Sequence, residues 1–116
     1  MMRMNRLHRT GGSLTLLAAL ALLARPACAE DAEIVLRIKD HQFVPSEISA
    51  PAHQRVKIVV KNEDGAPAEF ESVDFHREKV VQPGREISVF VGPLDAGSFE
   101  FFDEFHPGAR GHLIIK

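Results

Sequence analysis

Apolar and polar residues alternate along most of the chain after position 32, a pattern typical of β-strands with one buried face. Three stretches show it most clearly: Glu33 to Lys39 (EIVLRIK), Arg55 to Lys61 (RVKIVVK) and Glu86 to Val91 (EISVFV). Shorter segments continue the series: Glu47 to Ser49, Ala68 to Val73, Lys79 to Val81, Ser98 to Asp103 and His112 to Lys116. Apolar residues at helical spacing are almost absent in this region, so the pattern predicts an all-β domain.

Turn-forming residues separate these segments at intervals of about ten residues. Asn62 to Pro67 (NEDGAP), Pro83-Gly84 and Gly92 to Gly97 (GPLDAG) are turns by composition. Pro45 interrupts the region between the first two strands and fits an edge or a bulge. Seven or eight short strands at this spacing predict a Greek-key β-sandwich.

The first 29 residues are organised like a cleavable secretory signal peptide. Three arginines precede an apolar run from Leu14 to Ala24, and small residues up to Ala29 offer a cleavage site before Glu30. The run is shorter than a membrane span requires. We therefore expect residues 1–29 to be a signal peptide, residues 30–116 to form one domain, and the protein to be periplasmic. A membrane anchor and a lipoprotein acylated at Cys28 are the alternatives.

Cleavage there would change both the chemistry and the charge of the chain. It would remove Cys28, the single cysteine, so the mature protein would contain neither a disulfide nor a thiolate-bound metal. It would also remove four arginines, which leaves 10 basic residues against 16 acidic ones, a net charge of −6 with neutral histidines. Such a surface disfavours nucleic acid and anionic lipid and favours cations or basic partners. Acidity alone also keeps a secreted protein soluble.

Carboxylates occupy two places where strand alternation gives them a defined direction. Glu69 and Glu71 share one face of the segment AEFES, with Phe70 on the other. Asp103 shares the face of Phe101 at the end of its strand, so it points the way the interior aromatic residues do. A carboxylate in that position needs a cation or hydrogen-bond donors to offset its desolvation.

Several stretches together resemble the cupredoxin-like domain over nearly all of the chain from Glu33 to Lys116. They are HQFVPSEISA, VVKNEDGAPAEFES, EKVVQPG, VGPLDAGSFEFF and HPGARGHLIIK. In the copper-carrying relatives, a histidine follows the Asn-containing turn and a cysteine ends the penultimate strand. A second histidine and a methionine lie in the next loop.

The resemblance implies a changed set of metal ligands. Glu69 falls where the first histidine is expected and Asp103 where the cysteine is expected, while His106 matches the second histidine. Ala109 (or Arg110) replaces the methionine. With Glu71 added, the resemblance implies that Glu69, Glu71, Asp103 and His106 converge on a metal at one end of the sandwich. Carboxylate and imidazole ligands suit iron, Mn²⁺ or Cu²⁺, so copper and/or iron is the expected cofactor, and a conventional blue-copper centre is excluded in the mature chain.

The segments PAEFES and EKVVQPG are most similar to cupredoxin-like proteins of bacterial iron-uptake systems. That similarity implies an iron permease and a periplasmic iron-binding protein as partners, and a role in oxidising Fe²⁺ or passing electrons before import. Two other functions stay open, namely a metal-free docking module and a periplasmic copper carrier. For the individual residues, a solvated strand face at Glu69 and Glu71 and a turn-forming role for Asp103 are the alternatives. His41 is interpreted as a surface histidine, with a ligand role left open.

Overall fold

A computed structural model describes residues 31–116, together with the isolated positions 2, 11 and 12. Apart from those positions, the expected signal peptide at residues 1–29 lies outside the described residues, so its cleavage stays a prediction. Within the described part of the chain, no helix has the length and apolar character needed to cross a membrane.

The described residues form nine β-strands. They are β1 (Ala32–Lys39), β2 (Gln42–Val44), β3 (Glu47–Ala50), β4 (Val56–Asn62), β5 (Ala68–Ser72), β6 (Arg77–Val81), β7 (Glu86–Val91), β8 (Gly97–Asp103) and β9 (His106–Ile115). The number exceeds the predicted seven or eight because β2 is a strand of its own. It pairs with β1 across a two-residue turn at Asp40 and His41, whose φ angles are 51° and 55°. The final strand also begins at His106 and not at His112, since it pairs with β8 on both sides of a bulge.

These strands are arranged in two sheets that enclose one hydrophobic core. One sheet has the order β2-β1-β4-β7 and the other β3-β9-β8-β5-β6. Strands β1 and β4 pair in parallel, as do β3 and β9, while the remaining pairs are antiparallel. Because β1 and β3 follow one another closely in the chain but belong to different sheets, the chain crosses the sandwich early. The predicted all-β sandwich is confirmed.

Aromatic side chains fill the core at the end that carries the candidate site. The ring of Phe101 lies 5.0 Å from that of Phe43 in an edge arrangement and 5.4 Å from that of Phe70 in a stacked one. Gly111 on β9 allows this packing, since a Cβ at that position would overlap the Phe101 ring and lie 2.7 Å from the Ser46 carbonyl oxygen. Close packing of this kind places the ends of β5 and β8 side by side.

Asn62 organises the loop between β4 and β5. Its side-chain nitrogen donates to the carbonyl oxygens of Ala66 (2.8 Å) and Val81 (3.0 Å), and its side-chain oxygen accepts from the Asp64 N–H (3.0 Å). Asn62 is buried, and these three bonds satisfy it. The Asp64 carboxylate in turn accepts hydrogen bonds from the N–H groups of Asp40 and His41 in the β1–β2 turn.

Candidate metal site

Strand β5 presents its two glutamates away from the core. Ala68 and Phe70 belong to the hydrophobic core, so alternation places Glu69 and Glu71 on the outer face of the five-stranded sheet. Glu69, which the resemblance matched to the first histidine, therefore points outward, while Ala68 before it points inward.

Glu78 joins these two residues from the neighbouring strand. It lies on β6 directly opposite Glu71, and oxygens of Glu69, Glu71 and Glu78 all lie within 4.8 Å of one another. We call these three residues the carboxylate cluster. In the part of the chain that the structure describes, no Lys, Arg or His forms an ion pair with any of them.

The carboxylate cluster is unusual because one of its members is buried. Glu69 is only 8% exposed, whereas Glu71 is half-buried and Glu78 is exposed. A hydrogen bond shared with the Glu78 carboxyl, burial, and the negative charges of Glu78, Glu71 and Glu104 raise the pKa of Glu69 from its ordinary 4.5 to about 7. Burial, a hydrogen bond with Glu104, and the charges of Glu104 and Glu78 also raise the pKa of Glu71.

These raised pKa values mean that ionising Glu69, Glu71 and Glu78 together is unfavourable when no cation is bound. Like charges held close together and partly removed from water favour the protonated form. A bound cation reverses that preference, since it neutralises the carboxylates and replaces the protons.

The carboxylate of Asp103 is also buried, but hydrogen bonds offset its desolvation. Its side chain is fully buried, but one oxygen accepts hydrogen bonds from the Glu69 N–H (2.9 Å) and the Phe105 N–H (3.0 Å). The other oxygen lies 3.1 Å from Nδ1 of His106. Hydrogen-bond donors, and not a cation, offset the desolvation of this carboxylate.

His106 lies between Asp103 and solvent. Its Nδ1 is the nitrogen that faces Asp103, and its ring stacks on that of His41 with centroids 4.0 Å apart and an interplanar angle of 23°. His41 belongs to the turn between β1 and β2, so this contact joins two loops at the same end of the sandwich.

The structure therefore brings the four predicted ligands together in two groups. Glu69 and Glu71 meet in the carboxylate cluster, and Asp103 pairs with His106. Among the described residues, the group of three or more potential metal ligands whose ligand atoms lie within 4.8 Å of one another consists of the two β5 glutamates and Glu78, without Asp103 or His106. The expected convergence of all four on one ion is not found, because Glu69 and Glu71 lie on the outer face while Asp103 points inward. Their roles as metal ligands stay predictions.

Glu78 was missed by sequence reasoning. The signal that identifies it is hairpin register: Glu71 pairs with Glu78 across the β5–β6 turn. Of the two residues that the resemblance matched to the methionine, Ala109 is buried and Arg110 is exposed.

A blue-copper ion does not fit the interior position. The inward side chains there are Ala68 and Ala109, which carry no ligand atom, and the carboxylate of Asp103, whose oxygens already have three hydrogen-bond partners. A thiolate and a thioether are the ligands that such a centre needs, and the residues that replace them provide neither.

Comparisons with known proteins agree with this fold. The family model described as "Cupredoxin-like domain" matches residues 12–115. An uncharacterized protein of Rickettsia prowazekii (strain Madrid E) is 39% identical over 85 residues, which cover 72% of this chain and 68% of that protein. Among solved structures, amicyanin from Paracoccus versutus is 18% identical with a TM-score of 0.60, over 76% of this chain and 83% of its own.

An amicyanin mutant solved with Cu(I) is similarly close, at 17% identity and a TM-score of 0.60, over 72% of this chain and 82% of its own. At these identities the solved structures establish the shared fold alone. The family model spans most of the sequence and the rickettsial relative is 39% identical, so these two matches establish the family as well as the fold. The chain belongs to the cupredoxin-like domain family.

Proposed function

We propose that this protein binds iron at the carboxylate cluster and assists iron uptake in the periplasm. One observation carries the proposal: Glu69 is only 8% exposed and lies beside two further carboxylates, and among the described residues no Lys, Arg or His forms an ion pair with it. Holding three carboxylates this close together costs free energy that a bound cation would recover.

The ligand chemistry favours a hard, highly charged ion. Carboxylate oxygens prefer hard cations over soft ones. Attraction to a cluster of negative charges grows with the charge of the ion, so Fe³⁺ gains more than Fe²⁺. That preference would make bound Fe²⁺ easier to oxidise, with one electron leaving each ion for dioxygen or for Cu²⁺.

The compartment and the partners are part of the same proposal. The N-terminal sequence favours export, and the similarity of PAEFES and EKVVQPG to iron-uptake proteins favours an iron permease and a periplasmic iron-binding protein as partners. A negatively charged mature surface would also suit the capture of cations.

Metal titration tests the proposal. We would titrate the purified protein with Fe³⁺ supplied as a weak chelate, with Fe²⁺ under argon and with Cu²⁺, and follow the heat of binding. The double variant Glu69→Gln/Glu71→Gln should weaken Fe³⁺ binding by about tenfold or more, because two charged ligand groups are lost.

The matched control is Glu33→Gln/Glu86→Gln, which removes the same charge from two exposed glutamates on the other sheet. Equal losses in the two double variants would mean that net charge, and not the carboxylate cluster, attracts the ion. Copper binding without iron binding would instead indicate the copper carrier. Absence of specific binding to any of the three ions would leave the metal-free docking module.

Oxidation is measured in the same samples. Faster loss of Fe²⁺ in air with the wild-type protein than with the Glu69→Gln/Glu71→Gln variant would indicate an oxidising role. Equal rates of loss with retained Fe³⁺ binding would indicate an iron carrier.

A further inference from the structure

Strands β6 and β7 lie beside each other at one side of the sandwich, but they belong to different sheets. In the part of the chain that the structure describes, β7 is the last strand of the four-stranded sheet and β6 is the last strand of the five-stranded one. A strand at the edge of a sheet presents a row of N–H and C=O groups that can pair with another chain. The groups that cover the β7 edge therefore decide whether another chain can pair with it.

Two basic side chains of β6 reach across to the backbone of β7. Nε of Arg77 donates to the carbonyl oxygen of Phe90 at 2.8 Å, and Nζ of Lys79 donates to that of Ser88 at 3.4 Å. These carbonyl groups therefore face away from β4, the strand with which β7 pairs. Because the N–H and C=O groups of one residue in a strand point to the same side, the N–H groups of Ser88 and Phe90 also lie on this edge.

The alternation of residues along β6 explains how these side chains reach β7. Val81 is fully buried in the core, so Arg77 and Lys79 lie on the face of β6 that is turned toward the other sheet. Glu78 lies on the opposite face, with the carboxylate cluster. Inward-pointing charged residues are one of the devices by which β-proteins prevent their edge strands from pairing with other chains.

Arg77 is held in this position by a second contact. Its Nη1 atom donates to the carbonyl oxygen of His76 at 3.0 Å, in the turn between β5 and β6. A guanidinium carries five N–H donors in a fixed planar geometry, so one side chain can bond to two carbonyl groups at once. Arg77 thus links the β5–β6 turn to the edge of the other sheet, and its bond to β7 is shorter than that of Lys79.

The sequence of β7 itself favours pairing with another strand. Residues Ile87 to Val91 (ISVFV) are rich in β-branched and aromatic side chains and include neither a charge nor a proline, a composition typical of segments that pair between chains. Phe90 is 40% exposed, and the guanidinium of Arg55 lies 4.9 Å from its ring centroid. Basic side chains thus cover both the backbone edge and the exposed aromatic ring of this strand.

We propose that the β7 edge is a pairing site for a second copy of this chain, and that Arg77 and Lys79 keep it closed. Two β7 edges related by a twofold axis would pair in antiparallel orientation. Centring that pair on Ser88 places Glu86 of each copy opposite Phe90 of the other, so no like charges face each other. Pairing would join the two four-stranded sheets into one continuous sheet and leave the carboxylate cluster uncovered. The proposal does not depend on iron binding.

The first test measures self-association by sedimentation velocity over a range of protein concentrations, with a reducing agent present so that Cys28 cannot link two copies. Arg77→Met/Lys79→Met removes both donors and keeps apolar side chains of similar length. It should raise the association constant of the dimer by about tenfold or more, because the edge carbonyl groups of both copies become free to accept from a second strand. Arg77→Met alone should cause most of this rise, whereas Arg77→Lys, which keeps a donor, should stay closer to the parent.

The matched control is Lys39→Met/Arg85→Met, which removes the same charge from two exposed side chains that form no ion pair among the described residues. Both double variants make the chain more negative, and added like charge opposes self-association. The control should therefore associate no more tightly than the parent. An equal rise in the control would overturn the proposal, because the association would then not depend on the β7 edge.

Amide hydrogen exchange provides the second readout, since it locates the interface. In Arg77→Met/Lys79→Met, the N–H groups of Ser88 and Phe90 should become more protected as the protein concentration rises, whereas those of the edge strands β2 and β3 should not change. A folded variant that stays monomeric wherever the parent does, or a dimer without protection of Ser88 and Phe90, would contradict the proposal. None of these outcomes concerns a metal ion, so strand pairing and iron binding at the carboxylate cluster fail separately.

Discussion

Asp103 and Glu69 are both buried, but the groups that surround their carboxylates differ. Asp103 is fully buried and accepts hydrogen bonds from the Glu69 and Phe105 N–H groups while facing His106. Glu69 is almost as buried, yet its carboxylate faces Glu71 and Glu78 across the sheet. The comparison shows that burial alone does not determine the environment of a carboxylate. Hydrogen-bond donors surround Asp103, whereas the like charges around Glu69 favour its protonated form.

Removal of Asp103 should produce the largest effect on folding. Asp103→Ala leaves two N–H groups without their acceptor, and we expect a loss of about 3 kcal/mol or more in the free energy of unfolding. Urea denaturation followed by circular dichroism measures this, since the chain contains no Trp or Tyr for fluorescence. Glu69→Gln is the comparison variant and should not destabilise the protein at neutral pH. If the two variants lost stability equally, the contrast between the two carboxylates would be wrong.

Asn62→Ala should have the next largest effect, because Asn62 is another polar side chain buried near this end of the sandwich. It removes three hydrogen bonds and frees the loop that carries Asp64. We expect a loss of about 2 kcal/mol, together with weaker protection of the β4–β5 loop from amide exchange. Gln42→Ala, which removes an exposed amide side chain on β2, serves as the control. Unchanged exchange in the loop would contradict the role assigned to Asn62.

The pH dependence of stability should distinguish Glu69 from Asp103. The pKa of Glu69 in the folded protein, about 7, lies above its ordinary 4.5. Between these values the folded chain retains a proton that the unfolded chain has released, so the stability of the metal-free protein falls as pH rises through this window. In Glu69→Gln the fall should be smaller. Urea midpoints across the window, measured with a chelator present, test this, and Glu47→Gln on β3 of the same sheet is the control. Parallel curves for the wild type and Glu69→Gln would refute the prediction.

The smallest expected effect concerns Glu78, the exposed member of the carboxylate cluster. Its hydrogen bond and charge are among the causes that raise the pKa of Glu69, and the hydrogen bond is the largest. Glu78→Gln should therefore lower the pKa of Glu69 toward its ordinary value, with little change in stability. Carbon-detected NMR titration of the side-chain carboxyl measures it, with Glu86→Gln on the other sheet as control. An unchanged midpoint for Glu69 would mean that burial and the charges of Glu71 and Glu104 cause the shift without Glu78.

Much of the fold could be predicted from local pattern, because a period of two residues identifies strands before their neighbours are known. The alternation of Glu33 to Lys39, Arg55 to Lys61 and Glu86 to Val91 located β1, β4 and β7 to within one or two residues. Strand β2 was harder to predict, because only three residues pair and the turn before it contains Asp and His where Gly or Asn is common.

The candidate site was predictable only in part, for the same reason. The alternation of residues correctly predicted that Glu69 and Glu71 share one face of β5 and that Asp103 points inward. It did not show that these two directions lie on opposite faces of one sheet, which separates the carboxylate cluster from Asp103 and His106. Glu78 depends on the register of a hairpin, and register is set by the turn and by the partner strand.

The sequence by itself determined most of the strands, the sides of β5 and β8 on which Glu69, Glu71 and Asp103 lie, and the membership of a known family. Those properties depend on residues close together in the chain. Only the tertiary structure decided which partner each carboxylate meets: Asp103 faces a backbone N–H from β5, Glu69 faces β6, and His106 stacks on His41. The physical reason is that a pKa, a hydrogen bond or a metal site depends on atoms within a few ångströms, and folding brings those atoms together from distant positions.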